Sequence, residues 1–518
     1  MPKFIDVNEV PDLIKDEAVI YSAGFGLAAF AEEVAISVEK SFLEKGRPRN
    51  LTFYNAAAVG NFVNRGAAYY AHDGLLKRYV TGHFGGVGPA LQKLIAENKV
   101  EAYNLPQGIL SILPRNIAGR RPGVLSKVGL GTFVDPRIEG GKANSVTTEE
   151  IVEVVNFDNE EWLYYKLPKV DVAIIRGSVA DENGNLTTDK DGIHTEIISV
   201  AQAAKACGGI VIAEVENVVK AGTLHPKKVR VPGILVDYVT ISKPEHHFQT
   251  MGTYFNPSFN GDIKIPIHSI EPMALTERKV VCRRAAMELV PNSVINLGVG
   301  MPDGVAAVAA EEKVDHLMTM SIEGGGIGGT PAQGIDFANT INAEAIIEQP
   351  YQFDFYDGGG IDVTFLGLAQ VDEKGNLNVS KFNNKPVGCG GFINITQNAK
   401  KVVYCGSFTA GGLEVEIKDG KLHIINEGKN KKFVKNVEQI TFSGEYARSI
   451  EQPVLYITER AVFKLTQAGV ELIEIAPGVD LQKDILDLME FVPIMNDVKL
   501  MPEELFQEVW GNLASMLQ

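Results

Sequence analysis

The chain has 518 residues, of which 45% are hydrophobic and 22% are charged, and its formal net charge at pH 7 is −16. This length exceeds what one hydrophobic core usually organises, so the composition predicts a soluble globular protein with at least two domains. The acidic balance disfavours a nucleic-acid partner, although local amides and a few basic residues still allow an anionic ligand to bind.

The four cysteines and nine histidines show no spacing typical of a metal site. The absence of a C-x-x-C pair favours a reduced, cytoplasmic protein without structural zinc. The N-terminal residues lack an apolar signal-peptide core, and no apolar run approaches the ~20 residues of a membrane span. We therefore expect a cytoplasmic protein with no metal and no membrane partner.

The first hundred residues alternate between strand and helix patterns. A strand at 18–23 runs into a glycine turn at 24–29, and a helix at 28–45 is closed by Gly46. The next predicted elements are a strand at 51–57, a helix at 67–77, a strand at 78–81, a helix at 89–98 and a strand at 100–105. This alternation predicts an α/β fold, with a mostly parallel sheet covered by helices.

The residues after 105 give weaker signals. The region 106–144 is rich in glycine and proline and predicts irregular structure. The Thr147-Thr-Glu-Glu capping signal then predicts the start of a helix.

Two internal echoes indicate a duplicated plan. Residues 170–186 resemble 361–377, and the strand and glycine turn at 19–26 resemble those at 294–300. Both halves therefore open as strand, glycine turn and helix. Between them, residues 257–272 are rich in Pro, Gly, Ser and Asn, which is typical of a linker. We place the domains at 1–260 and 275–518, with the linker at 261–274.

One carboxylate stands out because glycines surround it. An apolar strand pattern from Leu317 delivers Glu323 into a turn with glycines at 324, 325, 326, 328 and 329. Without Cβ atoms beside it, a ligand or another backbone segment can approach closely. The turn therefore makes Glu323 a candidate nucleophile, and the alternative is a solvated Glu in a tight turn.

Two other glutamates occupy glycine turns, but they are a repeated pair. Glu182 and Glu373 stand at the same point of the two echoed segments, each two residues before a Gly-Asn pair. Both patterns read as strand, turn and strand, so we interpret these glutamates as exposed hairpin residues. Glu323 has no such duplicate.

A dinucleotide site is the main rival in the first half. Gly24-x-Gly26-x-x-Ala29 fits the G-x-G-x-x-G/A fingerprint between a strand and a helix. That site requires an acidic residue at the end of the next strand, where this chain offers only Asn55. A nicotinamide enzyme is therefore disfavoured.

The Gly388-Cys-Gly-Gly segment has two possible roles. A thiolate nucleophile at Cys389 is less common than a buried free cysteine. Consecutive amides without side chains form an anion-binding nest, which suits an oxyanion, and the alternative is an ordinary glycine turn.

Motifs from nearly the whole chain carry a family resemblance. In the first half they are Gly24-Phe-Gly-Leu, Tyr54-Asn-Ala-Ala-Ala-Val, Leu105-Pro-Gln-Gly-Ile-Leu and Gly131-Thr-Phe-Val-Asp-Pro-Arg. In the second half they are Asn296-Leu-Gly-Val-Gly-Met-Pro, Ser321-Ile-Glu-Gly, Tyr351-Gln-Phe-Asp-Phe-Tyr-Asp-Gly-Gly-Gly, Gly388-Cys-Gly-Gly and Ile457-Thr-Glu-Arg-Ala-Val-Phe. With these motifs the chain resembles the family I coenzyme A transferases, in particular the single-chain acetate or propionate CoA-transferases. The family's common Ser-Glu-Asn-Gly motif is Ser-Ile-Glu-Gly here, which resembles the acetate/propionate branch and disfavours strict 3-oxoacid specificity.

The resemblance implies two similar open α/β domains, an α-type domain followed by a β-type domain that carries the catalytic glutamate. It also implies ping-pong transfer of coenzyme A between a short-chain acyl-CoA, such as acetyl-, propionyl- or butyryl-CoA, and a free carboxylate. A glutamyl-CoA thioester on Glu323 would be the intermediate. Coenzyme A would be a substrate, with no permanently bound cofactor, and the protein would be a homo-oligomer, with a tetramer favoured.

The resemblance also assigns the other site residues. The oxyanion would be bound by amides near Gly390 and Gly391, with Gln107 and Gly26 as neighbours. The residues implied for coenzyme A are Gly298, Gly300, Gly388, Lys429 and Lys432. For the lysines, the alternative is a solvated basic run. Two other functions stay open at this point, an acyl-CoA thioesterase on the same scaffold and an NAD(P)-dependent oxidoreductase.

Overall fold

The computed structural model describes residues 1–266 and 273–517. The chain divides into two compact units. Unit 1 consists of Met1–Ile265, Ile322–Asp354 and Lys385–Asn394, and unit 2 consists of Pro266–Ser321, Phe355–Asn384 and Ile395–Gln518. The sequence-based domain boundaries stay a prediction, and residues 267–272 of the predicted linker lie outside the described residues.

A parallel sheet forms the centre of unit 1. Its strands lie in the order Lys3–Phe4, Tyr238–Ile241, Ile210–Val219, Val172–Asp181, Val19–Ser22, Leu51–Tyr54, Leu76–Thr81 and Glu101–Asn104. Every neighbouring pair in this order is parallel. The central strand Val172–Asp181 is buried over almost its whole length, as expected for a strand covered on both faces. The predicted α/β class is therefore confirmed.

Helices and smaller sheets complete unit 1. Its α-helices are Val10–Leu13, Glu32–Lys45, Pro89–Ala96, Gln107–Ala118 and Ile197–Cys207. Its 3₁₀ helices are Val7–Glu9, Ala67–Tyr70, Gly85–Val87, Gly233–Leu235, Pro244–His246 and Gly334–Asp336. The strands Gly123–Ser126, Glu160–Lys166 and Val152–Phe157 form an antiparallel sheet. The remaining short strands are Leu186–Thr187, Gly326–Ile327, Thr330–Pro331, Thr340–Ile341, Ala345–Ile346 and Lys385–Pro386.

Unit 2 repeats the parallel plan and adds an antiparallel extension. Its strands follow the order Thr319–Ser321, Val294–Leu297, Val363–Gly367, Val402–Cys405, Val454–Ile457, Ala461–Thr466, Gly469–Ile475 and Lys499–Leu500. The strands up to Val454–Ile457 are parallel, and Ala461–Thr466 pairs antiparallel with both of its neighbours. The remaining strands are Gln370–Val371, Leu377–Asn378, Lys381–Phe382, Thr409–Ala410, Glu414–Lys418, Lys421–Asn426 and Asn430–Lys431.

The helices of unit 2 are short. The α-helices are Glu277–Ala286, Gly304–Glu311, Gly444–Ser449, Leu481–Asp484 and Leu513–Met516. The 3₁₀ helices are Asp315–Leu317, Leu486–Leu488 and Glu503–Phe506. Helices Gln349–Asp357 and Phe392–Asn398 each begin in unit 1 and end in unit 2. Among the described residues, no helix combines the length and apolarity needed to cross a bilayer.

The internal echo extends to individual hydrogen bonds. In unit 1 the Asp171 carboxylate accepts the backbone N–H of Val19 at 2.9 Å. In unit 2 the Asp362 carboxylate accepts the N–H of Val294 at 2.8 Å. Each aspartate precedes an echoed strand and fixes the start of the neighbouring strand, so both halves use the same device to set strand register.

The two echoed turns are also alike. Asp181 accepts the N–H groups of the residues two and four positions later, and Asp372 does the same. The glutamates that follow are exposed, and Glu182 forms an ion pair of 2.8 Å with Lys220. The interpretation of Glu182 and Glu373 as hairpin residues is therefore confirmed.

The prediction of irregular structure over 106–144 is wrong for Gln107–Ala118, a helix that contains Pro114, and for the strand Gly123–Ser126, whereas residues 127–144 contain no helix or strand. Proline has no N–H to donate to the carbonyl of Leu110, four residues earlier. The Tyr21 hydroxyl donates to that carbonyl instead, at 2.5 Å. A tertiary contact thus replaces the missing helical hydrogen bond, which local sequence rules do not anticipate.

Two helix predictions are also wrong. Of the predicted helix 67–77, only Ala67–Tyr70 is helical; Gly74 has a positive φ of 87°, and a strand begins at Leu76. At the second position, Thr147 does not cap a helix. Its hydroxyl accepts the N–H of Ala102 and donates to Asn144, and the β-branched residues that follow form a strand instead.

The helix end at Gly46 yields a stability prediction. Gly46 has a φ of 71°, and a Cβ atom there would meet no atom within 4 Å, so backbone conformation alone favours glycine. We expect Gly46→Ala to lower the free energy of unfolding by about 1–2 kcal/mol, and Gly46→Asn to lower it less, because Asn tolerates the left-handed region.

Denaturation midpoints of the variants measure this effect. Gly367→Ala is the matched control, since its Cβ also meets open space but its φ is not positive. A loss for Gly367→Ala equal to that for Gly46→Ala would contradict the assignment to backbone strain.

Candidate active site

Glu323 lies in a tight turn at the start of the segment Ile322–Asp354 of unit 1. The N–H of Gly325 donates to the carbonyl of Ile322 at 3.0 Å, and the N–H of Ile322 donates to the carbonyl of Gly326 at 3.1 Å. Ile322 is 2% exposed, whereas Glu323 is half-buried. The turn is thus anchored by a core residue and presents the adjacent carboxylate.

The glycines of this turn are required by neighbouring backbone. A Cβ atom at Gly324 would lie 2.1 Å from the carbonyl oxygen of Ala338. At Gly325, where φ is 99°, a Cβ atom would lie 2.0 Å from the carbonyl oxygen of Ile347. The sequence predicts that either a ligand or another backbone segment approaches these glycines. The structure shows backbone segments approaching, and they enclose the turn on two sides.

This enclosure changes the acidity of Glu323. Burial raises the pKa of its carboxyl group to about 7, while its own backbone N–H opposes the shift. No neighbouring charge among the described residues contributes to the pKa shift. A poorly solvated carboxylate with this pKa is both present at neutral pH and more nucleophilic than a hydrated one.

Gln107 provides a hydrogen-bond donor that the rest of the described structure does not use. Gln107 begins a helix, its N–H donates to the carbonyl of Gly390 at 3.0 Å, and the residue is 3% exposed. Its side-chain Nε2 has no hydrogen-bond partner within residues 1–266 and 273–517. A buried donor without an acceptor costs stability unless a ligand supplies the acceptor.

The two glycine amides predicted to bind the oxyanion differ. The N–H of Gly390 donates to the carbonyl of Gly82 at 2.6 Å, so it is already engaged. The N–H of Gly391 has no acceptor in the part of the chain that the structure describes. Gly391 is therefore the glycine whose amide is available to a ligand.

Asn104 and Asn394 hold this segment in place, and the sequence analysis missed both. The side chain of Asn104 donates to the carbonyls of Thr81 and Gly82 and accepts the N–H of Cys389. Asn394 accepts the N–H of Gly108 at 3.0 Å. The sequence could have indicated Asn104, because this residue ends a predicted parallel strand and ligand sites form at the carboxyl ends of such strands.

Gly388 and Gly26 have packing roles. A Cβ atom at Gly388 would lie 2.7 Å from Cα of His83. A Cβ atom at Gly26 would lie 2.6 Å from Cγ of Met251, and the N–H of Gly26 donates to the carbonyl of Ala58. Gly26 therefore makes room for Met251 and has no free amide of its own.

The remaining predicted residues lie in unit 2. The N–H of Gly298 donates to the carbonyl of Phe365, and the N–H of Gly300 donates to Asp303. Lys429 is exposed. The Lys432 ammonium donates to the carbonyl of Leu368 and to Ser407, and burial lowers the pKa of Lys432. Lys432 is thus engaged inside unit 2, and Lys429 is the more accessible of the two lysines.

Neither rival chemistry finds support in the geometry. The N–H of Val34, in the first turn of the helix after the Gly24 turn, donates to the buried Glu214 carboxyl group, where a dinucleotide would place its phosphate. Asn55 is fully buried and accepts the Tyr79 hydroxyl. The Cys389 thiol is 5% exposed, and burial raises its pKa, so it is a poor nucleophile.

The described residues contain no group of three or more His, Cys, Asp or Glu side chains arranged to hold a metal ion. Unit 1 instead contains a carboxyl group whose pKa is raised by burial and two donors, the Gln107 side chain and the Gly391 N–H, that lack acceptors among the described residues. This combination suits nucleophilic attack on an acyl group whose oxyanion accepts hydrogen bonds.

Comparison with known proteins agrees with this chemistry. Residues 7–242 match the family model described as Coenzyme A transferase. The chain is 49% identical over 524 residues to the caffeate CoA-transferase of Acetobacterium woodii, covering 100% of both chains. It is 43% identical over 505 residues to the acetate CoA-transferase YdiF of Escherichia coli (strain K12), covering 97% of this chain and 94% of the relative.

A solved structure is similar over nearly the same length. The acyl-CoA transferase YdiF from E. coli O157:H7, described as a thioester complex with CoA, superimposes with a TM-score of 0.90 at 41% identity. The match covers 98% of this chain and 97% of that chain. The chain therefore belongs to the coenzyme A transferase family and is a CoA-transferase that uses coenzyme A as a substrate.

Proposed function

We propose that this chain transfers coenzyme A between a short-chain acyl-CoA and a free monocarboxylate, with Glu323 as the covalent nucleophile. The observation that carries this proposal is the desolvated Glu323 carboxylate, whose pKa is raised to about 7 by burial alone. One relative is named for acetate and another for caffeate, and both names support carboxylic acids as acceptors. Acetyl-, propionyl- and butyryl-CoA are the donors that we propose.

In the first half-reaction, a Glu323 carboxylate oxygen attacks the thioester carbonyl carbon and forms a tetrahedral oxyanion. The C–S bond then breaks and gives an acyl-glutamyl anhydride and the CoA thiolate. The thiolate attacks the glutamyl carbonyl of the anhydride, which releases the acyl group as a free carboxylate and leaves a glutamyl-CoA thioester. An acceptor carboxylate reverses these steps, so the cycle needs no redox reagent and no net proton.

The unused donors fit the charge that develops on the acyl oxygen. In our proposal Gln107 Nε2 and the Gly391 N–H bind the oxyanion, because both lack protein acceptors among the described residues. Donors that are already fixed need no reorganisation during the reaction. Asn104 acts as a positioning residue, since it accepts the N–H of Cys389 and so orients the segment that carries Gly391.

Three glycines and one lysine are the candidates for binding coenzyme A. We propose that Gly388, Gly298 and Gly300 contribute to its binding. Lys429 is the candidate for its phosphates, because it is exposed while the Lys432 ammonium already has two acceptors. A site that sequesters the anhydride from water favours transfer over hydrolysis, which separates this function from that of a thioesterase.

The first prediction from the proposed function tests covalent catalysis by Glu323. Glu323→Gln should abolish transfer, and Glu323→Asp should lower it on the order of 100-fold, because withdrawing the carboxylate by one methylene misaligns the attack. Wild-type protein incubated with acyl-CoA but no acceptor should retain CoA on the peptide that contains Glu323. Borohydride reduction followed by peptide mass spectrometry detects this thioester.

The matched control is Glu182→Gln, which changes an exposed glutamate in another turn of unit 1 and should transfer CoA at the wild-type rate. An adduct on Cys389, or full transfer by Glu323→Gln, would contradict the assignment. Release of free acid without any acylated acceptor would identify a thioesterase instead.

A second prediction concerns pH. The attacking species is the carboxylate, so activity should be lost as the pH falls below the raised pKa of Glu323, about 7. We expect kcat/KM for acyl-CoA to fall about tenfold per pH unit below that value and to level off above it. Stopped-flow measurement of the first half-reaction between about pH 5.5 and 8.5 gives the profile, and an unchanged rate across this range would refute it.

A third prediction tests Gln107 as an oxyanion donor. Gln107→Leu removes the Nε2 donor at similar volume and should lower kcat by about 10²–10³, with a smaller change in KM. Gln482→Leu is the control, because the Gln482 side chain donates to the Asp487 carboxylate in unit 2, whereas Gln107 and Glu323 both belong to unit 1. Steady-state kinetics and melting temperatures of both variants decide the question, and a kcat loss below about threefold for folded Gln107→Leu would exclude this role.

A further inference from the structure

Four apolar side chains form a partly exposed surface in unit 1, and we call Phe25, Met251, Ile335 and Phe337 the apolar wall. Phe25, Met251 and Phe337 are half-buried, and Ile335 is 60% exposed. The rings of Phe25 and Phe337 meet edge to face, with their centroids 5.8 Å apart. These side chains keep this exposure with all of the described residues in place, so the wall is available to a ligand.

Packing against two glycines and one side-chain hydrogen bond hold the wall in place. The Met251 side chain occupies the space beside Gly26, and Ile335 Cδ1 lies 2.1 Å from the point where a Cβ atom at Gly252 would be. The Thr250 hydroxyl donates to the Asp336 carboxylate at 2.5 Å and ties the two loops together. The wall is therefore assembled from three segments distant in sequence.

The wall is continuous with the turn that carries Glu323. Phe337 is followed by Ala338, whose carbonyl oxygen lies 2.1 Å from the Cβ position of Gly324, the residue after Glu323. Ala338, whose carbonyl requires glycine at position 324, thus directly follows the wall residue Phe337 in the chain. The wall therefore adjoins the turn that presents the proposed nucleophile.

We propose that the apolar wall receives the hydrocarbon tail of the acyl group and of the acceptor acid, and so sets which acids are used. This inference rests on the function proposed above. The substrates that fit are monocarboxylic acids with an aliphatic tail beyond the acetate methyl or with an aromatic ring. Methionine adapts to tails of different shape, and aromatic edges pack against both chains and rings.

Charge on the wall excludes a second class of acid. Asp336 lies between two wall residues, and its carboxylate faces Thr250. A dicarboxylate such as succinate would bring its second carboxylate next to an apolar surface that contains a negative charge. Desolvation and repulsion both oppose that placement, so dicarboxylates should be poor acceptors.

The test compares acceptor acids in wall variants of the full-length protein. Phe337→Ala and Ile335→Ala should lower kcat/KM for butyrate and 3-phenylpropionate about tenfold or more, and that for acetate about threefold or less, because acetate has no tail to contact the wall. Ile335→Asp should depress butyrate further. Wild-type protein should use succinate less efficiently than butyrate by about 100-fold or more.

Ile234→Ala is the matched control, since Ile234 is an 88% exposed apolar residue of unit 1 outside the wall. It should leave the butyrate-to-acetate ratio at the wild-type value. The highly exposed Ile335 keeps the test interpretable even when Phe337→Ala lowers stability. Unchanged acid ratios in every wall variant, or efficient use of succinate, overturn the inference while transfer itself persists. Failure of the wild-type protein to acylate any acid overturns the proposed function and this inference together.

Discussion

The desolvation of one carboxylate is the constraint on which the site depends. Backbone carbonyls approach the Glu323 turn so closely that no side chain fits at the next two positions. Burial in this turn raises the pKa of the Glu323 carboxyl group without a contribution from a neighbouring charge among the described residues. A neighbouring cation would have lowered the pKa but also weakened the nucleophile, so enclosure by backbone retains reactivity that an ion pair would remove.

The hydrogen-bond donors follow a similar pattern. The 82–83 and 388–391 segments are held together by Asn104, by the Gly390 N–H and by the close approach of Gly388 to His83. Once these bonds are made, the Gly391 amide and the Gln107 side chain still lack acceptors among the described residues. The two groups that we assign to the substrate are therefore among the buried polar groups that lack a partner in the described structure.

Sequence patterns predicted the parallel sheet and the duplicated plan because both follow from local alternation and from visible repetition. They also made Glu323 a candidate nucleophile, since an ordinary surface turn does not need five glycines around one carboxylate. They failed where a distant partner decides the outcome. Pro114 suggested a break, yet Tyr21 supplies the missing hydrogen bond, and Thr147 resembled a cap although its hydroxyl bonds to Ala102 and Asn144. The roles of Gly390 and Gly391 differ only through Gly82, which no local pattern reveals.

The bond between Tyr21 and Leu110 has a mechanical consequence for the chemistry. A helix without side-chain hydrogen bonds to the sheet can rotate about its own axis. Here the hydroxyl of Tyr21, on a strand of the sheet, is bonded to the carbonyl of Leu110 in the helix, and this bond opposes the rotation. Leu110 lies three residues after Gln107, which is about 4.5 Å along the axis. The hydrogen bond from Tyr21 thus helps to set the direction in which Gln107 points, and in the mechanism that we propose a change at Tyr21 would misalign the Gln107 donor.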